Sequence, residues 1–427
     1  MAKPECLCSM VDRVRIKSGV RVEAVTTGPK RHFFGYYGLT PWDGTGRYML
    51  ALESDFDGRT QHRDDVARIG LIDTEQGNSW RCIAETRAWN WQQGCMLQWM
   101  PNNPNREIIY NDFVGGQLVA VVRDVFTGTT RLLPKPICAV CPDGRQALTL
   151  NYGLVHRERP GYGYVNAALP ARMEKCPTDD GIYWMDLATG ENHLIITVSQ
   201  LDELRPIRPH RAFQYVCHLL FNTDGSRFVF FHRWQVHRGL VEQFCNRIRR
   251  KLYREIGLGR WVRPDRLTRM LTARPDGSDI RVLCDDDLVS HFDWKNADEL
   301  LVFTRVAGVG DNYYVVNGLT GEMKVVGRNT LTRDGHPSYS PDGRWIVTDS
   351  YPDPATSHRT LILYLPERDQ RVDVASLFSP PVRAEEFRCD LHPRWNRDGT
   401  KVCIDSLHEG TRQVYVLDVS QIVGDTL

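Results

Sequence analysis

A two-part repeat that recurs seven times constrains this chain more than any other feature of its sequence. Each copy has a short apolar segment with an aromatic residue, a turn rich in Gly, Asp and Asn, and a second apolar segment. Asp-Gly between two alternating apolar runs is a strong signal for a β-hairpin. The copies begin at Gly38 (GLTPWDGTGRYMLAL), Met96, Ile137, His218, His291, His336 (HPSYSPDGRWIVT) and His392.

A second hairpin signal follows most copies of the first. Two hairpins per unit make a four-stranded antiparallel blade, and seven blades arranged radially form an all-β, seven-bladed β-propeller. The seventh unit has too few residues for its outermost strand, so we expect VRVEAVTT from Val20 to supply it and close the ring. Residues 1–427 are thus predicted to form one domain. The second turns read IDTEQG at Ile72, RDVFTG at Arg123, MDLATG at Met185, ARPDGS at Ala273, NGLTGE at Asn317 and a degenerate LPERDQ at Leu365.

Two units carry long insertions. Blade 3 has residues 152–180 between its second and third strands, and blade 4 has residues 233–266. Loops of this length inside a compact fold are usually functional. Within the second insertion, the segment from Val241 to Gly257 has apolar residues at helical spacing with arginines between them, which predicts an amphipathic helix.

Composition excludes some classes of function. The chain has 54 basic and 53 acidic side chains, a net charge of +1 and no long apolar run, so we expect neither a nucleic-acid partner nor a membrane partner. The first ten residues lack an apolar segment typical of a signal peptide. Most of the twelve cysteines are spread through apolar strands, which favours reduced thiols and a cytoplasmic protein. A periplasmic protein whose signal was removed is the alternative.

Four histidines occupy one position of the repeat in blades 4 to 7, three residues before its aromatic residue. Inner strands border the central channel of a propeller, so equivalent positions converge at one mouth of that channel. Both insertions begin at the same end. A structural histidine of the repeat is the alternative, but blades 1 to 3 carry Leu39, Met96 and Cys138 at this position, and a structural ring would be more uniform. The four are His218, His291, His336 and His392.

This convergence predicts a metal site. His291, His336 and His392 come from adjacent blades, and Asp390 lies two residues before His392. Neutral imidazoles with a carboxylate bind divalent ions, so the cofactor would be Mn, Zn or Ca.

A polar shell at the ends of the second strands predicts a site for an acidic sugar. Arginine binds a carboxylate with two parallel hydrogen bonds, aromatic rings offer stacking surfaces, and Asn and Gln bind hydroxyls. Arg233 and Tyr351, with His218 and His291, are the predicted catalytic residues. The predicted substrate-binding residues are Gln93, Asn111, Asn151, Arg157, Tyr164 and His232.

Several segments together resemble the oligogalacturonate lyases, and more distantly the propeller-fold ulvan and rhamnose–glucuronate lyases and TolB-like repeats. They are HFFGYYGLTPWDGTGRYMLALE, NWQQGCMLQW, SHFDW, GHPSYSPDGRW and RCDLHPRW. The resemblance implies that His336 and His392 are metal ligands and that His291 is a ligand or the catalytic base. This chain has Asp390 where the lyases are richer in His and Gln.

Three hypotheses for function follow. The first is a lyase that cleaves oligosaccharides containing uronic acid by β-elimination, with His218 or His291 as the base and Tyr351 or Tyr164 as the proton donor. The second is a glycoside hydrolase for the same sugars, which needs a pair of carboxylates across the site, with Glu53, Asp112 and Asp349 as candidates. The third is a non-catalytic, TolB-like binding propeller. The sequence does not indicate the sugar or the oligomeric state.

Overall fold

Seven antiparallel sheets form the ring of a β-propeller, as the repeat predicts. The structure is a computed structural model, and it describes residues 13–170, 172–206, 212–235, 266–382 and 384–424. In blades 1 to 5 the four strands follow one another along the chain, so each repeat unit forms its own sheet. The first strand of each blade is called its inner strand below.

Blades 1 to 3 are built from twelve strands. They are β3 (Arg31–Phe33), β4 (Tyr48–Ser54), β5 (Ala67–Asp73) and β6 (Ser79–Thr86) in blade 1, β7 (Gln98–Trp99), β8 (Glu107–Val114), β9 (Gln117–Asp124) and β10 (Thr130–Leu133) in blade 2, and β11 (Ala139–Val140), β12 (Gln146–Thr149), β13 (Gly181–Asp186) and β14 (Asn192–Thr197) in blade 3.

Blades 4 to 7 contain the remaining strands that follow in chain order. They are β15 (Phe213–Phe221), β16 (Phe228–Gln235), β17 (Arg266–Ala273) and β18 (Arg281–Cys284) in blade 4, β19 (Val289–Trp294), β20 (Glu299–Val306), β21 (Gly310–Asn317) and β22 (Met323–Val326) in blade 5, β23 (Ser338–Tyr339), β24 (Ile346–Asp349), β25 (His358–Leu365) and β26 (Gln370–Phe378) in blade 6, and β27 (Arg394–Trp395), β28 (Lys401–Ser406) and β29 (Gln413–Asp418) in blade 7.

The N-terminal segment closes the ring, and it does so on two blades. Strand β2 (Arg21–Ala24) pairs antiparallel with β29 and becomes the outermost strand of blade 7, as predicted. Strand β1 (Val14–Ile16) pairs with β26 and adds a fifth strand to blade 6, which the sequence did not predict. Both pairings cover strand edges that would otherwise be bare.

Short helices lie between the strands. Helix α1 begins the blade-3 insertion directly after Asn151, whose side chain accepts the backbone N–H of Leu154 and caps the helix. Helix α2 is capped by Thr197 and Gln200, which form a capping box. The described helices are α1 (Tyr152–Glu158), α2 (Val198–Leu204) and, after the last strand, α3 (Ser420–Gly424), with 3-10 turns at Thr74–Gln76, Pro366–Arg368 and Glu385–Phe387.

The two predicted insertions have different outcomes. Residues 152–180 do separate β12 from β13. In blade 4, β16 runs on to Gln235, so Arg233 and Trp234 belong to a strand and not to the insertion. The helix predicted from Val241 lies outside the described residues.

The core consists of contacts between neighbouring blades. One apolar cluster joins blades 2 to 5, a second joins blades 1 and 2, and a third joins blades 6 and 7. Alternation along each strand places one apolar row against each neighbour, so both faces of a blade are buried.

The cysteines of the described chain are free thiols, as expected. Nine are described, seven of them buried, and none of these nine forms a disulfide. The described helices include none with the length and apolar character required to span a bilayer.

Candidate functional site

The local backbone explains how the repeat histidines reach the channel. His218 and His291 lie at register shifts of the inner strands β15 and β19. Such bulges redirect a side chain out of the regular alternation. His218 and His392 also have positive φ angles of 57° and 44°, which residues other than glycine seldom adopt. Met96, at the same repeat position of blade 2, has a φ of 55°, so this backbone conformation belongs to the repeat position and not to the histidines alone.

Three of the four histidines meet in space. The ring centroids of His291 and His336 are 4.1 Å apart, and those of His336 and His392 are 4.4 Å apart. His218 lies across the channel mouth, and the ring of Tyr36 lies between it and His392, 5.9 Å from the first and 6.1 Å from the second. The predicted convergence therefore holds for blades 5, 6 and 7.

Each of these three imidazoles is held through its Nδ1 atom. His336 Nδ1 lies 2.7 Å from Asp349 Oδ1, and His291 Nδ1 lies 3.0 Å from Asp334 Oδ1. His392 Nδ1 donates to the carbonyl oxygen of Gly35 at 2.7 Å, which requires a proton on Nδ1. In this tautomer Nε2 carries the lone pair and is able to bind a metal or accept a proton.

Asp390 faces two of the free Nε2 atoms. Its Oδ2 lies 3.9 Å from His336 Nε2 and 4.0 Å from His392 Nε2. Burial alone would raise the pKa of Asp390, but the guanidinium groups of Arg359 and Arg388 outweigh burial and hold this pKa well below its usual range. Asp390 is therefore a carboxylate.

The pKa values of the two histidines suit metal binding. Burial, and then the neighbouring imidazole, lower the pKa of His336 and of His392 well below the usual range, so both rings are neutral. Neutral imidazole is the form that binds metal ions.

The residues present fit a divalent ion. One ligand atom from each of His336, Asp390 and His392 lies within 4.8 Å of the other two. Ion–ligand bonds of about 2.0–2.2 Å place two ligands of one ion about 3–4 Å apart, close to the observed separations. His336 Nε2 is buried and has no hydrogen-bond partner among the described residues. Two nitrogens and one oxygen favour Mn or Zn over Ca.

Tyr36 and Tyr37 pack against the histidines. The ring of Tyr37 lies 5.7 Å from His291 and 5.4 Å from His336, and its hydroxyl donates to the carbonyl of Phe292. Arg394 fixes the backbone next to Tyr37, because it donates to the carbonyl oxygens of Gly35 and Tyr36. Arg394 is itself held by an ion pair with Asp405.

A buried cation lies near His218, beside the ring of Phe231. Arg233 is 6% exposed, its Nε donates to Thr268, and its Nη1 has no hydrogen-bond partner among the described residues. The guanidinium lies 4.8 Å from the ring of Phe231, which itself contacts His218. Arg233 thus offers a desolvated positive charge for a carboxylate.

Tyr351 lies beside His291 and His336. Its ring is 6.3 Å from His291 and 5.9 Å from His336, with the guanidinium of Arg388 5.0 Å away. Burial, together with Asp334 and Asp390, raises the pKa of the Tyr351 hydroxyl well above its usual value. The hydroxyl therefore keeps its proton at neutral pH.

The blade-3 insertion extends across the channel mouth to other blades. The Asn166 amide donates to the carbonyls of Arg63 and Arg87, in the connections next to blades 1 and 2. A Cβ at Gly161 would come within 2.9 Å of Glu386, which precedes blade 7. The ring of Tyr162 lies 5.7 Å from that of His218. The insertion therefore covers the site.

The predicted substrate-binding residues divide into two groups. Gln93 lines a narrow cavity of ≈ 50 Å³ together with Tyr36, Tyr37 and His218. The amide of Asn111 is used within the packing, since it donates to the Ile137 carbonyl and the Tyr164 hydroxyl and accepts from the Ile137 N–H.

The other members of that set also point into the protein. Asn151 caps α1 and donates to Asp180, and the Arg157 guanidinium lies 4.3 Å from the Phe213 ring. Tyr164 is fully buried and stacks on Tyr152, which leaves it unable to protonate a substrate. His232 is fully buried and receives a hydrogen bond from Arg269. The structure does not bring these side chains, or Asn111, to the site.

Sequence reasoning missed several residues of the site. Tyr36 and Tyr37 follow β3, Asp334 precedes blade 6, and Arg388 precedes blade 7. Arg359 comes from β25, the third strand of its blade, where no signal marks a residue as near the channel. The doubled tyrosine before Gly38 was the one available signal.

The carboxylates proposed for hydrolysis do not face one another. Glu53 binds Lys30 and His32, while Asp112 accepts the backbone N–H of Arg87. Asp349 is turned towards His336. The three lie on blades 1, 2 and 6, each in a separate network, so they form no pair across the site.

Comparison with known proteins agrees with this architecture. Among solved structures, an oligogalacturonate lyase in complex with manganese aligns over 96% of both chains, with a TM-score of 0.65 at 16% identity. An oligogalacturonate lyase from Vibrio parahaemolyticus aligns over 95% of this chain and 96% of its own, with a TM-score of 0.63 at 15% identity. This chain has the fold of the oligogalacturonate lyases.

That shared fold confirms the architecture expected from the resemblance. TolB from Acinetobacter baumannii aligns over 80% of this chain and 66% of its own, with a TM-score of 0.41 at 15% identity. No protein-family model matches the sequence, and no curated protein matches it.

Proposed function

We propose that the protein is a lyase that cleaves oligosaccharides containing uronic acid by β-elimination at the covered channel mouth. The observation that carries the proposal is the set of three imidazoles held through Nδ1, together with the buried Arg233, whose Nη1 has no hydrogen-bond partner among the described residues. The lyase fold supports the reaction class but does not identify the sugar.

The elimination begins at the carbon next to the uronate carboxylate. Its C–H bond is a weak acid until the carboxylate charge is neutralised. Arg233 would bind that carboxylate, because its Nη1 is desolvated and has no partner among the described residues. A divalent ion held by His336, Asp390 and His392 would supply further positive charge for the same purpose.

His291 is the proposed base. Asp334 accepts from its Nδ1, as the aspartate of a catalytic triad does, and leaves Nε2 to take the proton from carbon. His291 is not among the three residues whose ligand atoms all lie within 4.8 Å of one another. Of the two roles considered for His291, metal ligand and catalytic base, we therefore assign it that of the base.

Tyr351 is the proposed acid. As the C–H electron pair forms the new C=C bond, the C–O bond to the next sugar breaks, and the leaving oxygen takes the Tyr351 proton. The raised pKa keeps this hydroxyl protonated until the oxygen becomes strongly basic.

The test is incubation of the full chain with a panel of polyuronide fragments, with and without added Mn²⁺. We expect an unsaturated product, seen by its ultraviolet absorbance, and product masses that sum to the mass of the substrate. His291→Ala should abolish the product, whereas His193→Ala on the outer strand β14 should not. Products that have gained water would indicate hydrolysis, and no product from any uronide would refute the proposal.

A further inference from the structure

Asp390 has two arginine partners that differ in their freedom to move. Arg359 Nη1 lies 2.6 Å from Oδ1, and Arg388 Nε lies 2.7 Å from both Oδ1 and Oδ2. The carboxylate is thus neutralised by two protein cations, and Arg388 shares Oδ2 with the face that lies nearest the histidines.

Arg359 is fixed in place. It is 1% exposed, and its Nε donates to the hydroxyl of Ser379 on the neighbouring chain segment. It has no open space to enter, so it stays beside Asp390 whatever else binds there.

Arg388 is held less firmly. Its side chain is 16% exposed and lies over the ring of Tyr351. Among the described residues, its side-chain hydrogen bonds all run from Nε to Asp390. A rotation of this side chain would carry the guanidinium away from Asp390 along the ring of Tyr351, the proposed proton donor, and so towards a bound sugar.

We infer that Arg388 binds Asp390 in the metal-free protein and binds the substrate carboxylate once a divalent ion has taken Asp390. The inference rests on the proposed function. Oδ2 of Asp390 is at once the atom nearest the two Nε2 atoms and an acceptor for Arg388. A doubly charged ion at this oxygen would repel a guanidinium a few ångströms away in a buried, weakly screened site.

This exchange couples two binding events. With an ion at this oxygen, Arg388 would be released to the substrate, and a bound uronate would hold Arg388 away from Asp390 and strengthen metal binding by the same factor. Couplings of this kind are commonly about 5- to 150-fold. Arg388 then makes substrate binding depend on a loaded metal site, without being a metal ligand.

The test measures binding rather than turnover. Metal-free full-length protein is titrated with Mn²⁺ by calorimetry, alone and with saturating D-galacturonate, for wild type, Arg388→Met and a control, Arg368→Met. Arg368 is an exposed arginine in the 3-10 turn Pro366–Arg368, so the control removes a guanidinium of the same type far from the site. Thermal melts confirm that each variant is folded.

We expect Arg388→Met to bind Mn²⁺ about tenfold more tightly than wild type, because a competing cation is gone. Galacturonate should raise the Mn²⁺ affinity of wild type and of Arg368→Met at least about fivefold, and should not change that of Arg388→Met. Unchanged or weaker Mn²⁺ binding by folded Arg388→Met would overturn the inference, as would an equal effect of galacturonate in all three proteins.

The two proposals fail in different ways. Coupled binding without an unsaturated product from any uronide would refute the lyase and leave the exchange of Arg388 supported. Suppose instead that the wild type forms the unsaturated product but its Mn²⁺ affinity is the same with and without galacturonate. This result would support the lyase and refute the exchange of Arg388.

Discussion

Replacing Asp349 with asparagine tests whether His336 is a metal ligand, because Asp349 contacts the imidazole at Nδ1 and leaves Nε2 for the ion. Oδ1 lies 2.7 Å from His336 Nδ1 and 2.8 Å from its backbone nitrogen, and the side chain is fully buried. Asparagine has the same shape and keeps the acceptor, but it removes the negative charge that makes Nε2 a better ligand.

The expected size follows from these contacts. A hydrogen bond to a charged group contributes about 1.5–3 kcal/mol and a neutral one about 0.5–1.5 kcal/mol, so the exchange costs about 1–1.5 kcal/mol of ligand strength. This corresponds to about tenfold weaker Mn²⁺ binding, at the lower end of the range known for such supporting residues.

Folding stability should respond in the opposite direction. Burial, and then Asp390, raise the pKa of Asp349, so its charge is costly in the metal-free protein. We expect the metal-free Asp349→Asn variant to melt at or above the wild-type temperature while it binds Mn²⁺ less tightly in calorimetry. Asp311→Asn, which removes an exposed carboxylate paired with Arg305, is the control. A folded Asp349→Asn variant with Mn²⁺ affinity within about twofold of wild type would contradict the role of His336.

Three further predictions follow from the same geometry. Arg233→Met should raise KM for uronides and lower kcat/KM about 100-fold, the loss of a buried charge-assisted contact; an unchanged KM in initial-rate assays would remove Arg233 from carboxylate binding. Tyr351→Phe should lower kcat by about 10²–10⁴ with KM nearly constant, and a large KM effect instead would indicate a binding role. Burial raises the pKa of Asp293 from 3.8 to about 7. The folded state therefore holds this proton more tightly than the unfolded state, and stability falls as pH rises from about 4 to 7. Asp293→Asn should lessen that fall, measured as the melting temperature at pH 5 and pH 8, and parallel pH profiles would show that Asp293 is not its cause.

The propeller could be predicted from the sequence because the signals for its hairpins are local and are repeated along the chain. An Asp-Gly turn between apolar runs specifies a hairpin wherever it occurs, and seven such units leave few arrangements other than a ring. The same repetition predicted that His291, His336 and His392 meet, since equivalent positions of adjacent blades must face one channel.

The remaining parts of the site depend on which neighbour a side chain meets. Asn111 lies within the second strand of blade 2 and Tyr351 follows the second strand of blade 6, yet Asn111 is fixed between blades 2 and 3 while Tyr351 faces the histidines. Arg359 and Arg388 come from segments without a repeated pattern. Their charges matter only because the fold places both beside Asp390.

The pairing of β1 with β26 and of β2 with β29 has a consequence for folding during synthesis. Arg21 binds Asp418 across 397 positions of chain, and β1 likewise pairs with β26, so β1 and β2 find their partners only after the strands of blades 1 to 5 have been made. Contacts this distant in sequence form slowly. Until these pairs form, β26 and β29 are unpaired edge strands that other unfolded chains could bind. The ring is therefore most prone to aggregate just before β1 and β2 pair.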